Sequence, residues 1–186
     1  GLIGCGMMGQ EHLRNVAMIE GIDVTAIYEP DEGMRYLSGR LLPNVIFMGS
    51  EEEVILSEKV DALVITSPNF LHCDQLKKIS DMRPIPILLE KPVCTSLDQL
   101  RELQNIDKNY PSPIWVAMEY RYMPPISKLL EIVHSGKTLG KTISLSIREH
   151  RYPFLEKVGN WNRFNKKSGG TLVEKCCHFF DLMRLI

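Results

Sequence analysis

Apolar runs alternate with amphipathic stretches along the first two thirds of the chain. Residues between the runs carry apolar side chains at helical spacing, which predicts helices at 10–19, 32–41, 51–56, 71–82 and 97–109. The apolar runs predict six strands, at 2–3, 24–28, 45–47, 60–66, 85–89 and 114–118. The continuously apolar run 85–89 is typical of a strand buried on both faces. The repeated strand–helix–strand order therefore predicts an α/β fold with a doubly wound parallel sheet.

The pattern changes after about residue 118. Pro124 and Pro125 open a helix predicted to reach His134, and residues 143–149 alternate like a half-buried strand. Residues 151–168 are irregular, and two glycines then precede an apolar helix predicted over 171–186. We therefore expect a first domain over 1–118 and the beginning of a second domain over 119–186.

Composition and charge exclude several classes of function. The formal net charge is −1 and the pI about 6.6, so neither nucleic acid nor an anionic membrane surface is an expected partner. Apolar runs stay short of the ~20 residues that span a bilayer. The five cysteines are odd in number and lack C-x-x-C spacing, which favours reduced thiols and a cytoplasmic location.

The segment Gly4-Cys5-Gly6-Met7-Met8-Gly9 follows the pattern G-x-G-x-x-G between a predicted strand and a predicted helix. In such a loop the first glycine makes a tight turn, the second admits a pyrophosphate, and the third allows close helix packing. The N-terminus of the helix that follows offers N–H groups to the phosphates, and Met7 and Met8 of the loop are expected among the cofactor contacts. Only three residues precede Gly4, so we also expect the chain to be cut inside its first strand.

Glu29 stands at the end of the second predicted strand, twenty residues after Gly9. An acid at this place hydrogen-bonds the ribose 2′-hydroxyl of a dinucleotide and repels a 2′-phosphate, which favours NAD over NADP. The alternative interpretation is a solvated loop acid, because Pro30 and Asp31 follow directly.

Further polar residues follow the fourth and fifth predicted strands. The carboxyl ends of parallel strands form the ligand-binding edge of such a sheet, so these residues are candidates for the wall of a cofactor cleft: Thr66, Pro68, Asn69, His72, Glu90 and Lys91. Asn69 is also suited to cap a helix, His72 to pack on it, and Lys91 to remain exposed. Beside a positively charged nicotinamide, Lys91 would hydrogen-bond or deprotonate a substrate hydroxyl.

Glu174, His178 and Asp181 have a spacing that places them on one face of the last predicted helix. A histidine with a carboxylate one turn away is suited to acid–base chemistry near neutral pH. The alternative interpretation is a helix with a polar stripe, or a histidine whose hydrogen bonds are made within the core. Cys176, Cys177 and His178 diverge around a helix, so no metal site is expected, and Lys175 receives no role.

Together, five ordered segments resemble the Gfo/Idh/MocA oxidoreductase family, and they span nearly the whole chain. The segments are the glycine loop at 4–9, Pro68-Asn69-Phe70-Leu71-His72, Glu90-Lys91-Pro92, Glu119-Tyr120-Arg121-Tyr122 and the run from Gly169 to Asp181. The resemblance implies a Rossmann NAD(P) domain followed by an α+β domain with an open sheet, often used for oligomerisation. It also implies that about half of a usual member is missing here.

The resemblance implies roles for the site residues. Lys91 would assist proton transfer, with a Lys91–Pro92 bond that is often cis in such proteins, and His178 would be the main acid–base residue. Glu174 replaces the aspartate of the usual pattern and Cys176 replaces its glycine. Arg121, Tyr122 and Asp181 are expected on the substrate side.

The expected activity is NAD-dependent oxidation of a sugar, cyclitol or related polyol, with NADP a less suitable cofactor. The full-length protein is expected to be a homo-oligomer. Two alternatives remain open. One is a glycoside hydrolase that retains its NAD and releases a sugar without net NADH. The other is a regulatory protein that binds NAD and tolerates loss of His178.

Overall fold

The computed structural model describes residues 1–136, 140–150 and 156–186, and its sheet consists of six parallel strands. These are β1 (Leu2–Ile3), β2 (Ala26–Tyr28), β3 (Ile46–Phe47), β4 (Leu63–Ile65), β5 (Ile87–Leu89) and β6 (Ile114–Val116). They lie in the order β3-β2-β1-β4-β5-β6, and every pair is parallel. This is the order of a Rossmann sheet, in which the strand order reverses between β1 and β4 and opens a crevice there. The predicted fold class is confirmed.

Helices connect the strands at nearly the predicted positions. They are α1 (Met7–Val16), α2 (Glu32–Leu41), α3 (Glu51–Leu56), α4 (His72–Met82) and α5 (Leu97–Asn109). Three begin at side-chain caps, because Asp31, Ser50 and Ser96 accept hydrogen bonds from main-chain N–H groups three residues later. α1 starts three residues earlier than the pattern indicated, since its N-cap is Gly6, which carries no side-chain signal.

The core lies on both faces of the sheet. Ile3 belongs to a cluster with α3, α4 and α5, whereas its neighbour Leu2 packs with Leu13 of α1 on the opposite face. Ala26 and Ile27 divide between the two faces in the same way. Strands that bury both faces explain why their sequences read as continuous apolar runs.

After residue 118 the chain forms four further helices within the described ranges. They are α6 (Pro124–Ser135), α7 (Asn165–Ser168), α8 (Gly170–Glu174) and α9 (Cys177–Leu185). α7 and a 3₁₀ segment, Val158–Arg163, occupy part of the stretch expected to be irregular, of which residues 151–155 lie outside the described residues. None of the helices in the described ranges has the length and apolarity needed to cross a bilayer.

Two expectations for this second part are wrong. Residues 143–149 form no strand, and Ile143 is 98% exposed, because no strand among the described residues pairs with this segment. The helix predicted over 171–186 is broken at Lys175 and Cys176, where both N–H groups donate to the carbonyl of Thr171. Glu174 and His178 therefore do not lie on one continuous helix.

Substituting Gly9 is expected to destabilise the fold. A Cβ at Gly9 would lie 2.4 Å from the carbonyl oxygen of Gly4 and 2.8 Å from Oγ1 of Thr66. Relief of these contacts requires α1 to move away from β1. Gly9→Ala should lower the free energy of unfolding by about 2–3 kcal/mol, as measured by urea denaturation.

Gly6→Ala is the matched control for this prediction. A Cβ at Gly6 meets nothing within 4 Å, so the free energy of unfolding should change by about 1 kcal/mol or less. Equal destabilisation by the two substitutions would contradict a packing role for Gly9.

Candidate active site

A cleft of about 1550 Å³ opens at the carboxyl edge of the sheet and is closed on its far side by residues after 118. This exceeds the roughly 300–1,000 Å³ of a typical small-molecule pocket, which leaves room for two ligands side by side. Most of the predicted site residues line it: Gly4, Gly6, Met7, Met8, Glu29, Thr66, Pro68, Asn69, Glu90, Lys91, Glu174 and His178.

The glycine loop is held against the turn after β4. Gly4 has a φ of +91°, and a Cβ there would lie 2.7 Å from the main-chain nitrogen of Ser67. The hydroxyl of Thr66 donates to the carbonyl of Gly4, which fastens the two loops together. Beside Gly6 the space is open, and the first N–H groups of α1 have no acceptor within the helix. The loop thus presents a rigid cradle suited to a phosphate group.

Glu29 is built into this cradle. Its side chain is buried, and it accepts hydrogen bonds from the N–H of Cys5 and, at 2.9 Å, from the N–H of Asp31. Because two main-chain donors hold the carboxylate against the cleft, the interpretation as a solvated loop acid is excluded.

His72 and Gly9 do not line the cleft. His72 is fully buried, and its ring nitrogens lie 2.7 Å from the carbonyl oxygen of Pro92 and 3.0 Å from that of Ser67. Burial lowers the pKa of His72. The structure therefore corrects the expected cofactor contact: His72 ties the turn after β4 to the turn after β5. Asn69 does reach the cleft, and its Nδ2 donates to the carbonyl of Ser168 at 3.4 Å.

In the Glu90-Lys91-Pro92 turn, the side chain of Lys91 extends across the cleft, whereas the side chain of Glu90 anchors the turn. The Lys91–Pro92 bond is cis. Lys91 Nζ donates to the main-chain carbonyl of Glu174 at 3.0 Å. Glu90 is buried and accepts hydrogen bonds from His12 Nε2 at 2.9 Å and from the N–H of Lys91 at 3.2 Å. Glu90 thus fixes the turn onto α1, which leaves Lys91 to reach the opposite wall.

His178 lies on that opposite wall. It is 2% exposed, and its Nε2 lies 3.4 Å from Oε1 of Glu119. Its ring stacks on Tyr120 with centroids 4.2 Å apart and planes 8° from parallel. Burial raises the pKa of both Glu119 and Glu174, so protonation of these two carboxyls is made easier. The sequence assigned no role to Glu119 or Tyr120.

The structure shows a positioning role for Lys175, to which the sequence assigned none. It is 8% exposed, its Nζ lies 3.0 Å from Oε2 of Glu149, and it donates to the hydroxyl of Tyr120. The same hydroxyl donates to Oε1 of Glu149 at 3.0 Å. Lys175 and Glu149 thereby fix the ring on which His178 stacks. A charged residue inside an otherwise apolar stretch was the one sequence signal of this network.

The expected substrate residues Arg121, Tyr122 and Asp181 lie outside the cleft wall. Arg121 instead makes a two-bonded ion pair with Asp181, which also accepts from Arg184 at 3.3 Å. Tyr122 is 60% exposed. Arg121 and Asp181 therefore join the turn after β6 to α9. In the described ranges, no three His, Cys, Asp or Glu side chains are grouped to hold a metal ion.

A family model described as an oxidoreductase family with an NAD-binding Rossmann fold matches residues 1–118. The chain belongs to the Gfo/Idh/MocA oxidoreductase family. A second model of the family, for its C-terminal alpha/beta domain, matches residues 133–186.

Several Gfo/Idh/MocA relatives align along most of this chain. The rhizopine catabolism protein MocA of Rhizobium meliloti is 26% identical over 99% of the chain and 55% of its own length. An inositol 2-dehydrogenase of Corynebacterium glutamicum is 27% identical over 98% of the chain and 52% of its own length. The chain thus spans about half the length of these curated relatives.

A solved structure has the same fold. Myo-inositol dehydrogenase from Lactobacillus casei, in complex with NAD(H) and myo-inositol, superposes with a TM-score of 0.67 and 24% identity. The superposition covers 75% of this chain and 42% of that chain.

The Arg121–Asp181 pair is expected to stabilise the protein in a pH-dependent way. The hydrogen bonds from Arg121 lower the pKa of Asp181 below its usual value of about 3.9. A lowered pKa in the folded state adds stability above the unfolded value, and this stability is lost as the pH falls through the folded value. Asp181→Asn should cost about 1–3 kcal/mol at pH 7, and the difference from wild type should shrink below pH 4 in urea denaturation.

Glu131→Gln serves as the control for this prediction. Glu131 pairs with Lys128 at 2.8 Å on the exposed surface of α6, where an ion pair contributes little. A pH-independent effect of Asp181→Asn, or an equal effect of Glu131→Gln, would argue against the assigned role of the Arg121–Asp181 pair.

Proposed function

We propose that the whole protein is an NAD-dependent oxidoreductase that oxidises a carbinol carbon of a sugar, cyclitol or related polyol. The observation that carries the proposal is the convergence of the glycine loop, Lys91 and His178 on one cleft. The inositol 2-dehydrogenase relative and the fold shared with a dehydrogenase that binds NAD(H) and myo-inositol support the same substrate class.

The residues present fit a bound dinucleotide. The N–H groups of Met7 and Met8 would receive the pyrophosphate at the start of α1, in the open space beside Gly6. Glu29 would accept from the ribose 2′-hydroxyl, and Thr66, Pro68 and Asn69 would line the path towards the reacting end. A dinucleotide held by these residues would supply the acceptor for the hydride that leaves the carbinol carbon.

The chain's own residues would move the proton. His178 would take the proton from the substrate hydroxyl, and the carboxylate of Glu119 at 3.4 Å would stabilise the resulting imidazolium. Lys91, held by the carbonyl of Glu174, would donate a hydrogen bond to the same oxygen. Glu174 lines the cleft as well and would orient the substrate by a hydrogen bond to a neighbouring hydroxyl.

Removal of either proposed catalytic side chain should slow turnover strongly without preventing cofactor binding. In the full-length protein, Lys91→Ala and His178→Ala should each lower kcat by about 10²–10⁴-fold, because proton transfer loses its positioned partner. The rate is read from the absorbance of reduced cofactor with a panel of polyols and sugars. Calorimetry should find NAD binding within a few-fold of wild type.

Lys77→Met is the control, because it also removes a lysine charge. Lys77 is exposed on α4, so this substitution should leave kcat unchanged. Full activity in both catalytic variants would reject the assigned roles. Release of a sugar from a glycoside without net NADH would identify the hydrolase instead, and NAD binding without turnover of any tested substrate would identify a regulatory protein.

The proposed preference for NAD depends on the charge of Glu29. Glu29→Gln keeps the length of the side chain and removes the repulsion of a 2′-phosphate, and its amide oxygen can accept from one of the two main-chain donors, Cys5 or Asp31. In the full-length protein, the ratio of kcat/KM for NAD to that for NADP should fall at least about tenfold, which corresponds to about 1.4 kcal/mol.

Asp31→Asn is the matched control for this ratio. Asp31 also lines the cleft, and asparagine can keep its hydrogen bond to the N–H of Met34 at the start of α2. If the two substitutions lower the ratio of kcat/KM equally, the preference for NAD comes from the overall negative charge of the cleft rather than from Glu29.

A further inference from the structure

The cleft wall carries an ammonium group that the proposed reaction does not use. Lys157 lines the cleft together with Lys91, Glu174 and His178. Its Nζ lies 5.3 Å from the centre of the Trp161 ring, and no carboxylate of the described residues lies within 4.0 Å of it. Lys157 therefore faces the cleft without the carboxylate partner that Lys175 has in Glu149.

The place of Lys157 is defined by aromatic packing. Trp161 is 9% exposed, and its ring meets that of Phe70 edge-on, with centroids 6.3 Å apart and planes at 70°. Phe70 belongs to the turn after β4, so the first part of the chain supports the wall that carries Lys157. An ammonium group near an aromatic ring is attracted to it, but the ring does not neutralise its charge.

Ammonium and carboxyl groups lie close together at this end of the cleft, where Lys157 and Lys91 line it with Glu90, Glu119 and Glu174. Burial lowers the pKa of Lys157; the nearby carboxyls of Glu174 and Glu90 counteract this effect, whereas Lys91 adds to it. Lys91 donates to the main-chain carbonyl of Glu174, a neutral group, rather than to its carboxyl. Lys157 thus lies in a partly desolvated region with no described carboxylate in direct contact, and an anion that bound directly to it would offset the cost of desolvating its charge.

We propose that Lys157 binds a carboxylate or phosphate group carried by the substrate, so that the enzyme acts on a sugar acid or a sugar phosphate. This inference rests on the proposed function and narrows its substrate class. The cofactor phosphates have their own cradle at the start of α1, whereas Lys157 shares the reacting end with Lys91. An anion there also offsets the positive charge of the oxidised nicotinamide.

The test measures binding to the full-length protein saturated with NAD, so that the phosphate cradle is already filled. Calorimetric titrations use glucuronate, glucose 6-phosphate, inorganic phosphate and glucose as probes. At least one anion should bind wild type at least tenfold more tightly than glucose, and Lys157→Met should weaken that anion at least tenfold. Lys157→Arg should keep most of the affinity, because it retains the charge. The carboxylate and phosphate probes separate the two sources of the anionic group.

Lys166→Met is the control, since Lys166 is exposed on the neighbouring α7 and does not line the cleft. The inference is overturned if no anion binds wild type more tightly than glucose does. It is also overturned if Lys157→Met binds the anion as tightly as wild type. Failure of the proposed function shows differently: the wild-type protein does not bind NAD, or reduces none with any polyol, sugar or sugar acid. The calorimetric comparison of anions does not depend on turnover.

Discussion

The parallel register of the central strands is the constraint on which the site depends. Ile3 of β1 is opposite Tyr28 of β2 on one side and opposite Ile65 of β4 on the other. The three strands therefore end level, and the residue that follows each of them enters the same crevice. A shift of one residue in either pairing would reverse which face each side chain occupies and would separate these residues.

The second wall of the cleft is joined to this edge by a few specific contacts. Asn69 reaches the carbonyl of Ser168, Phe70 packs on Trp161, and Lys91 reaches the carbonyl of Glu174. Each starts from a turn that follows a strand. His72 stiffens two of those turns from below by its position between the carbonyls of Ser67 and Pro92. The buried histidine thus shapes the site without contacting the cleft.

The sequence predicted the strands and helices of the first domain well, because the apolar runs and helix caps that determine them involve residues close together in the chain. The caps at Asp31 and Ser96 and the apolar strands determine where α2 and α5 begin, so the bounds of these helices agree with the pattern. The alternation of apolar and polar residues at 143–149 indicates that the two faces of this segment differ. A strand also needs a neighbouring strand to pair with, and the local sequence does not specify that neighbour. The break at Lys175 coincides with contacts to residues distant in the sequence, since its ammonium group pairs with Glu149 and donates to the hydroxyl of Tyr120.

The bond between Lys91 and residue 174 uses a main-chain oxygen, and this has a consequence for sequence variation. The oxygen is present whatever the side chain at that position. An aspartate, a glutamate or a neutral residue could therefore stand at 174 while the ammonium group of Lys91 keeps its anchor. In this architecture the position of the lysine is set by the path of the backbone, and the side chain at 174 can change without loss of that anchor.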